Sequence, residues 1–145
     1  MKIVDANVLL YAVNTASEHH NASRRWLDDA LSGSDIVGLA WTPLLAFVRL
    51  ATKVGLFPAP LPAPDATRQV IDWCAAPAAQ VISPTPRHAD ILARLVAQTG
   101  TGGNLVNDAH LAALALEHRA TIVTYDSDFS RFDGVRSRTP DSLLS

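Results

Sequence analysis

Residues 1–13 read MKIVDANVLLYAV, and this stretch contains the first predicted strand and helix of the chain. A short apolar run predicts a buried strand over Lys2–Asp5, and the apolar residues of Asn7–Val13 then recur at a helical spacing. We do not expect a secretory leader, because Asp5 and Asn7 interrupt the apolar run and no clean small-residue cleavage site follows. The stretch therefore predicts a strand that runs into a helix, with a carboxylate between them.

Outward from this stretch, short apolar segments alternate with segments of helical periodicity along the rest of the chain. The apolar segments are uncharged inside, which is typical of a parallel sheet covered by helices on both faces. The 145 residues suit one domain, since single domains most often have roughly 100–150 residues. We therefore expect a single α/β domain over residues 1–145, with three layers (α/β/α) and a short central parallel sheet. The further predicted strands are Ile36–Ala40, Gln80–Ile82, Thr121–Thr124 and Val135–Arg136, and the further helices are His19–Leu31, Pro43–Val54, Asp65–Cys74, Pro86–Gln98, Asn107–His118 and a short segment in Asp126–Phe132.

Proline and glycine mark the connections between these elements. Thr42 is expected to cap the third helix, with Pro43 at its first position and Gly55 after its end. Gly55–Pro64 contains four prolines and predicts an extended loop, because proline disrupts helix interiors and central strands. A flexible loop is expected at Gly100–Gly103.

The composition excludes several classes of protein. Hydrophobic residues make up 48% and charged residues 18% of the chain, which does not fit a disordered protein. Cys74 is the single cysteine, so no internal disulfide can form, and we expect a buried side chain in a protein of the reducing cytoplasm. No stretch approaches the roughly 20 apolar residues of a membrane span. The net charge of −2 does not indicate nucleic-acid binding. This test is weak for a protein with a carboxylate site, because bound metal ions would offset the negative charge of the carboxylates.

Four aspartates are predicted to meet at one edge of the sheet. Asp5 follows the first strand, and Asp126 and Asp128 follow the fourth. Asp108 opens the helix that precedes the fourth strand, and since that helix lies antiparallel to the strand, its first turn points to the carboxyl edge. Ligands of open α/β sheets bind outside this edge. Taken singly, Asp5 and Asp108 could cap helices and Asp126 and Asp128 could form turns, but the shared edge favours a common site.

Such a cluster predicts a site for divalent cations. Carboxylates a few ångströms apart repel one another, and a hard cation such as Mg²⁺, which prefers oxygen ligands, removes that repulsion. Bound metal can activate water and stabilise a leaving oxygen in phosphodiester cleavage, with no need for a His, Cys or Ser nucleophile. Zinc is not expected, because the histidines show no metal-binding spacing with a cysteine. Asn7, Asn104 and His110 are further candidates near the site, although structural roles are favoured for each.

Four segments of the chain together resemble the PIN-domain family, and specifically the VapC-type toxins of bacterial toxin–antitoxin pairs. They come in the family's order and spacing and span nearly the whole chain. The segments are IVDANVLLYA (3–12), LLAFVRLAT (44–52), NDAHLAALALEH (107–118) and TIVTYDSDF (121–129). The resemblance implies a PIN-like fold and a Mg²⁺-dependent endoribonuclease, with Mn²⁺ able to substitute, that cleaves structured cellular RNA of the tRNA or rRNA class. It also implies a homodimer and inhibition by a cognate antitoxin protein.

The same resemblance assigns roles to the aspartates. Asp5 and Asp108 match the family's principal metal ligands, and Asp126 matches its last acidic position. Asp128 matches that position less closely, and we expect it to complete the catalytic pocket or to orient water.

One position departs from the family pattern. The family usually has a glutamate in the third helix, a few residues before a position like Arg49, and this chain has Ala46 there. We expect the aspartates and water to make up for the missing acid, although Glu18 or Asp90 are alternatives.

Other interpretations stay open at this point. The missing acid at Ala46 motivates a PIN-like module that binds RNA or protein with little catalysis. A phosphatase of the haloacid-dehalogenase type would use Asp5 as a covalent nucleophile. Such enzymes have a second aspartate two residues after the nucleophile, where this chain has Asn7. Apolar residues on the early helices and around Leu56 and Phe57 are candidates for an antitoxin groove, with core packing as the favoured alternative.

Overall fold

The computed structural model describes residues 1–100, 103 and 105–145, and over them it confirms the predicted alternation of strands and helices. The predicted loop at 100–103 lies partly outside the described residues, and Asn104 lies wholly outside them. The strands are β1 (Lys2–Val4), β2 (Val37–Leu39), β3 (Ala79–Val81), β4 (Thr121–Val123) and β5 (Arg136–Arg138). The helices are α1 (Ala6–Val13), α2 (His20–Leu31), α3 (Trp41–Ala51), α4 (Ala63–Cys74), α5 (His88–Thr99), α6 (Leu105–Glu117) and α7 (Pro140–Leu144), with a 3₁₀-helix over Ser127–Arg131.

The strands form one parallel sheet in the order β3-β2-β1-β4-β5. The chain builds outward from β1 through β2 to β3, and then returns to place β4 on the other side of β1. The strand order therefore reverses between β1 and β4. In open parallel sheets this reversal leaves a crevice outside the carboxyl ends of the strands, which is where ligands bind.

Alternating side chains of the central strands face two separate cores. Val4 and Val123 pack with helices α1 to α4 on one face of the sheet. Ile3 and Ile122 pack with α5, α6 and the 3₁₀-helix on the other. A strand of alternating orientation that is apolar throughout must be covered on both sides, so the predicted three-layer α/β/α arrangement is confirmed.

The predicted starts of helices α3 and α4 were wrong, because proline can occupy any position in the first turn of a helix and not only the first one. Helix α3 begins at Trp41, its cap is Ala40, and Thr42 therefore lies inside the helix and is not its cap. Pro43 fits in the first turn because the N–H groups there have no partner within the helix. Pro64 likewise lies in the first turn of α4, so the proline-rich loop is shorter than the predicted Gly55–Pro64.

The C-terminal segment holds an element that the sequence interpretation did not include. Helix α7 begins after Thr139, whose hydroxyl accepts a hydrogen bond from the Ser142 N–H at 3.2 Å, and Pro140 is its first residue. A capping threonine followed by proline is a recognisable helix start, and only the short length concealed it. β5 also lies slightly later than predicted, at Arg136–Arg138.

Phe57 is a core residue and not part of an exposed groove. It is 7% exposed and packs in the cluster shared by α1 to α4, whereas the neighbouring Leu56 stays 48% exposed. The core alternative is therefore correct for Phe57. Among the described residues, no helix has the length and apolar character needed to cross a bilayer.

Replacing Arg119 with glycine is expected to stabilise the fold by about 0.5–1 kcal/mol. Arg119 follows α6 and has a φ of +53°. This left-handed conformation is unfavourable for residues with a Cβ atom, whereas glycine adopts it readily. Urea unfolding of Arg119→Gly against the parent measures the gain. Arg94→Gly, inside α5, is the control and should lose about 1 kcal/mol. An Arg119→Gly variant no more stable than the parent would contradict the prediction.

Candidate metal centre

Asp5 is fixed at the junction of β1 and α1 by hydrogen bonds to both of its carboxylate oxygens. Its N–H donates to the Val123 carbonyl at 3.0 Å, which continues the pairing of β1 with β4. Its Oδ1 accepts from the Ala6 N–H at 2.8 Å and so caps α1. Its Oδ2 accepts from the Thr124 hydroxyl at 2.8 Å and from the Asn7 amide at 3.2 Å. Asp5 therefore serves as a helix cap and also presents a carboxylate at the carboxyl edge.

Thr124 links the acidic segments that follow β1 and β4. Its hydroxyl donates to Asp5 and accepts from the Asn7 amide at 3.1 Å and from the Asp126 N–H at 2.9 Å. One donor and two acceptor positions are all that a hydroxyl has, so its capacity is fully used. The Asn7 carbonyl oxygen in turn accepts from the Tyr125 N–H at 3.2 Å. Thr124 is 2% exposed, and the network therefore holds the two strand ends in one arrangement.

Asp126 and Asp128 are presented by the 3₁₀-helix that follows β4. Asp126 caps this helix, because its Oδ1 accepts from the Asp128 N–H at 2.8 Å. Asp128 faces Arg131 one turn later, with Nε and Oδ1 3.4 Å apart. The predicted turn and short helical segment is present, and it directs both carboxylates to the same side.

Asp108 reaches this edge from the first turn of α6. Asp108, Asp126 and Asp128 can each present a ligand oxygen within 4.8 Å of the others. Burial and the negative charges of Asp126, Asp5 and Asp128 raise the pKa of Asp108 to about 6. Burial is also the main reason that the pKa of Asp5 is raised, and Asp126 adds to it, whereas hydrogen bonds from Thr124 and Ala6 oppose it.

The structure thus brings the four predicted aspartates to one edge, but in an unequal arrangement. Asp5 and Asp108 share the wall of a pocket of about 140 Å³ that Ala46 and Asn107 also line. Among the described residues, the group whose oxygens approach one another closely consists of Asp108, Asp126 and Asp128, and Asp5 stands beside it. The roles of all four as ligands or catalytic groups remain predictions.

His110 is engaged away from the aspartates. Its Nδ1 lies 2.9 Å from Nε2 of His88 on α5, and His88 is hydrogen bonded to the buried Glu117 carboxylate. Burial and the neighbouring His88 lower the pKa of His110. The favoured structural role of His110 agrees with this position between α5 and α6.

Thr124 and Asn107 are residues of this edge that sequence reasoning missed, whereas Asn7, a named candidate, lies in the hydrogen-bond network of Asp5 and Thr124. The signal for Thr124 was a hydroxyl at the end of the apolar run TIVT, where a buried strand leaves the sheet. Its partner Asp5 lies 119 residues away in sequence, so no local pattern could reveal the contact.

The sequence model that defines the PIN domain matches residues 2–135 of the chain. The chain belongs to the PIN-domain family. It is 73% identical over 144 residues to Ribonuclease VapC37 of Mycobacterium tuberculosis (strain ATCC 25618 / H37Rv), covering 99% of this chain and 100% of that relative. It is 37% identical over 140 residues to Ribonuclease VapC33 of the same strain, covering 97% of this chain and 98% of that relative. These identities put it among the VapC proteins of the family.

A solved structure extends the comparison to the fold. VapBC2 from Rickettsia felis, bound to a DNA fragment from their promoter, aligns with a TM-score of 0.69 and 17% identity. The alignment covers 95% of this chain and 97% of that chain. At this identity the likeness shows a shared PIN-domain fold.

The donor set of this PIN domain suits a hard divalent cation. The grouped ligand atoms are all carboxylate oxygens, which are the ligands that Mg²⁺ and Mn²⁺ prefer. Zinc sites, by contrast, are usually built from histidine and cysteine. Burial is the main reason that the pKa of Asp108 is raised, and the neighbouring negative charges, which a bound cation would offset, raise it further. Ala46 contributes only a methyl group to the pocket wall. Neither Glu18 nor Asp90, the acids considered as replacements for the missing glutamate, joins the described cluster, since Glu18 is exposed beside His19 and Asp90 lies on α5.

Proposed function

We propose that this PIN-domain protein is a Mg²⁺-dependent endoribonuclease and the toxin of a VapBC-type toxin–antitoxin pair. The observation that carries the proposal is the meeting of Asp108, Asp126 and Asp128 within 4.8 Å, beside Asp5, where the strand order reverses. Its proposed substrate is structured cellular RNA of the tRNA or rRNA class, and its proposed location is the cytoplasm. The relatives named as VapC ribonucleases support the reaction class.

In this proposal Asp5, Asp108 and Asp126 bind Mg²⁺, for which Mn²⁺ can substitute, and Asp128 completes the catalytic pocket. A bound divalent cation supplies positive charge to the reacting phosphate and lowers the pKa of water. The chain's part is to hold the carboxylates in place. Thr124 and Asn7 fix Asp5 and the backbone of Asp126, while α6 carries Asp108 to them from the far side of the sheet.

Two protein partners complete the proposal. The first is a cognate antitoxin, which the VapBC complex among the structural relatives supports. The second is another copy of this chain, because large apolar side chains remain 40% exposed or more on the single chain and a homodimer would cover part of them. These side chains are Ile36, Trp41, Leu45, Val54, Leu56, Ile71, Val81 and Val106.

Purified protein is expected to cleave total cellular RNA in the presence of Mg²⁺ or Mn²⁺, and to stop when EDTA removes the metal. The carboxylate cluster cannot neutralise the reacting phosphate without a cation, so cleavage should depend on metal concentration. Gel electrophoresis of the RNA measures this, and mapping the new 5′ and 3′ ends gives the cleaved site. Restoring Mg²⁺ after EDTA is the control for a contaminating metal-independent nuclease.

The other interpretations predict different outcomes. RNA binding without cleavage at any metal concentration would favour the PIN-like binding module and refute the enzyme. Hydrolysis of a generic phosphomonoester by Asp5 would favour the phosphatase, but both Asp5 oxygens already accept hydrogen bonds from Ala6, Asn7 and Thr124. The geometry of Asp5 therefore disfavours its use as a nucleophile.

A further inference from the structure

We propose that Arg49 binds an RNA phosphate next to the one that is cleaved, in a groove that continues the acidic pocket along α3. This inference rests on the proposed function and deepens it, since it names how the polyanionic substrate is held beside a cluster of negative charges.

The groove and the acidic pocket are continuous. A groove of about 410 Å³ is lined by Thr42, Leu45, Ala46, Arg49 and Asn107. Thr42, Ala46 and Asn107 also line the pocket that contains Asp5 and Asp108. A chain that enters the pocket from this side must therefore pass Arg49.

Arg49 is free to bind an anion. It is exposed on α3, and no other described residue forms an ion pair or side-chain hydrogen bond with its guanidinium. Two other arginines at this edge are engaged: Arg131 lies 3.4 Å from Asp128, and Arg138 donates to the side chain and carbonyl of Ser142. Arg49 is thus the cation that the groove offers to a ligand.

No acid at position 46 competes for Arg49, because that position is alanine. Positions 46 and 49 are three residues apart on one helix, a spacing at which opposite charges pair. An acid at position 46 would engage Arg49, whereas the methyl group of Ala46 leaves the guanidinium unpaired and the groove open. Position 46 therefore adds no negative charge to the pocket wall, and Arg49 beside it keeps its positive charge unpaired.

A phosphate is the ligand that fits these charges. The guanidinium presents several N–H donors in a planar fork that matches two phosphate oxygens. An RNA strand that enters the acidic pocket is repelled by its carboxylates, and a free cation on the approach offsets that repulsion. Thr42 and Asn107 add polar groups along the same groove, so the lining suits a sugar-phosphate backbone.

The test measures RNA binding in a background that should not cleave. Fluorescence anisotropy of a labelled RNA hairpin with Mg²⁺ compares Asp108→Asn with Asp108→Asn/Arg49→Gln over a range of NaCl concentrations. We expect Arg49→Gln to lower the affinity for RNA on the order of tenfold. The slope of log affinity against log salt concentration should become shallower by about 1, which corresponds to the loss of one phosphate contact. Arg49→Lys should keep the salt slope, and Ala46→Glu should weaken binding as Arg49→Gln does. Arg68→Gln, an exposed arginine of α4 that lines neither cavity, is the matched control and should change nothing.

Cleavage and mass separate this inference from the proposed function. With the wild-type background, Arg49→Gln should raise KM about tenfold and leave kcat within about threefold. If the parent cleaves RNA but Arg49→Gln matches Arg68→Gln in affinity, salt slope and KM, the inference fails and the function stands. If the parent does not cleave, the function fails and the binding measurement still decides the inference. A changed mass of Arg49→Gln in sedimentation would overturn it, because the groove would then be a contact between copies of the chain.

Discussion

Replacing Asp108 with asparagine is expected to abolish Mg²⁺-dependent RNA cleavage while making the metal-free protein more stable at neutral pH. The loss of activity follows from the proposed ligand role, and we expect it to exceed about a thousandfold, since a metal ligand supplies a charge that the amide lacks. The gain in stability follows from the burial of the Asp108 carboxylate and, in second place, from its repulsion by Asp126, Asp5 and Asp128. A residue kept at a cost to stability is typical of a functional site.

The stability gain should depend on pH with a definite sign. Asp108 has a pKa of about 6 in the folded chain and an ordinary value of 3.8. The folded state therefore holds this proton more tightly, so ionisation of Asp108 destabilises the fold as pH rises from about 4 to 6. The full cost persists above pH 6 and vanishes below about pH 4. A pKa raised from 3.8 to about 6 would correspond to about 3 kcal/mol, but Asp108 is only partly buried, and solvent screening lowers the expected gain to about 1 kcal/mol.

Thermal unfolding with and without Mg²⁺ measures both parts of this prediction. In EDTA at pH 7.5, Asp108→Asn should melt a few degrees above the parent, and at pH 4 the two should coincide. Added Mg²⁺ should raise the Tm of the parent and leave that of the variant nearly unchanged. Asp29→Asn, an exposed acid on α2, is the control and should alter neither cleavage nor the response to metal. Full cleavage by Asp108→Asn would remove Asp108 from the proposed ligands.

The edge of the sheet could be predicted from the sequence because it depends on local patterns. Short apolar runs such as TIVT favour buried strands, and helices between such strands favour parallel pairing. An acid directly after a parallel strand then lies at the carboxyl edge, as Asp5 does. That β1 and β4 are neighbours could not be read in the same way, since their pairing joins Lys2 with Thr121 across most of the chain.

The ranking of the aspartates shows where sequence reasoning stops. The resemblance puts Asp5 first and Asp128 last, whereas the group with closely spaced oxygens contains Asp128 and leaves Asp5 beside it. The physical reason lies in hydrogen bonds that no pattern encodes, because both Asp5 oxygens are held by Ala6, Asn7 and Thr124. Capping a helix is compatible with a position at the carboxyl edge, since Asp5 and Asp126 combine the two.

Replacing Thr124 with valine is expected to lower cleavage about 10–100-fold and to destabilise the protein by about 1–3 kcal/mol. Valine has the same shape as threonine and leaves no cavity, so the effect isolates the hydroxyl. Its loss removes the donor to Asp5 Oδ2 and leaves the Asn7 amide and the Asp126 N–H without their shared acceptor. Asp5 and Asp126 would then lose their fixed relation, although neither carboxylate is altered. A higher Mg²⁺ concentration should therefore be needed for half-maximal cleavage.

Thr124→Ser separates positioning from mere packing. Serine keeps the hydroxyl and loses one methyl group, so it should restore the metal dependence of cleavage while remaining slightly less stable than the parent. Thr67→Val is the control, because the Thr67 hydroxyl donates only to carbonyls within the exposed part of α4. Titration of cleavage with Mg²⁺ and urea unfolding measure the two effects separately. A Thr124→Val variant that is destabilised yet keeps the parent's Mg²⁺ dependence would show that Thr124 has only a structural role. A hydroxyl that merely accepts hydrogen bonds from buried N–H groups has no reason to change the affinity of the carboxylates for metal.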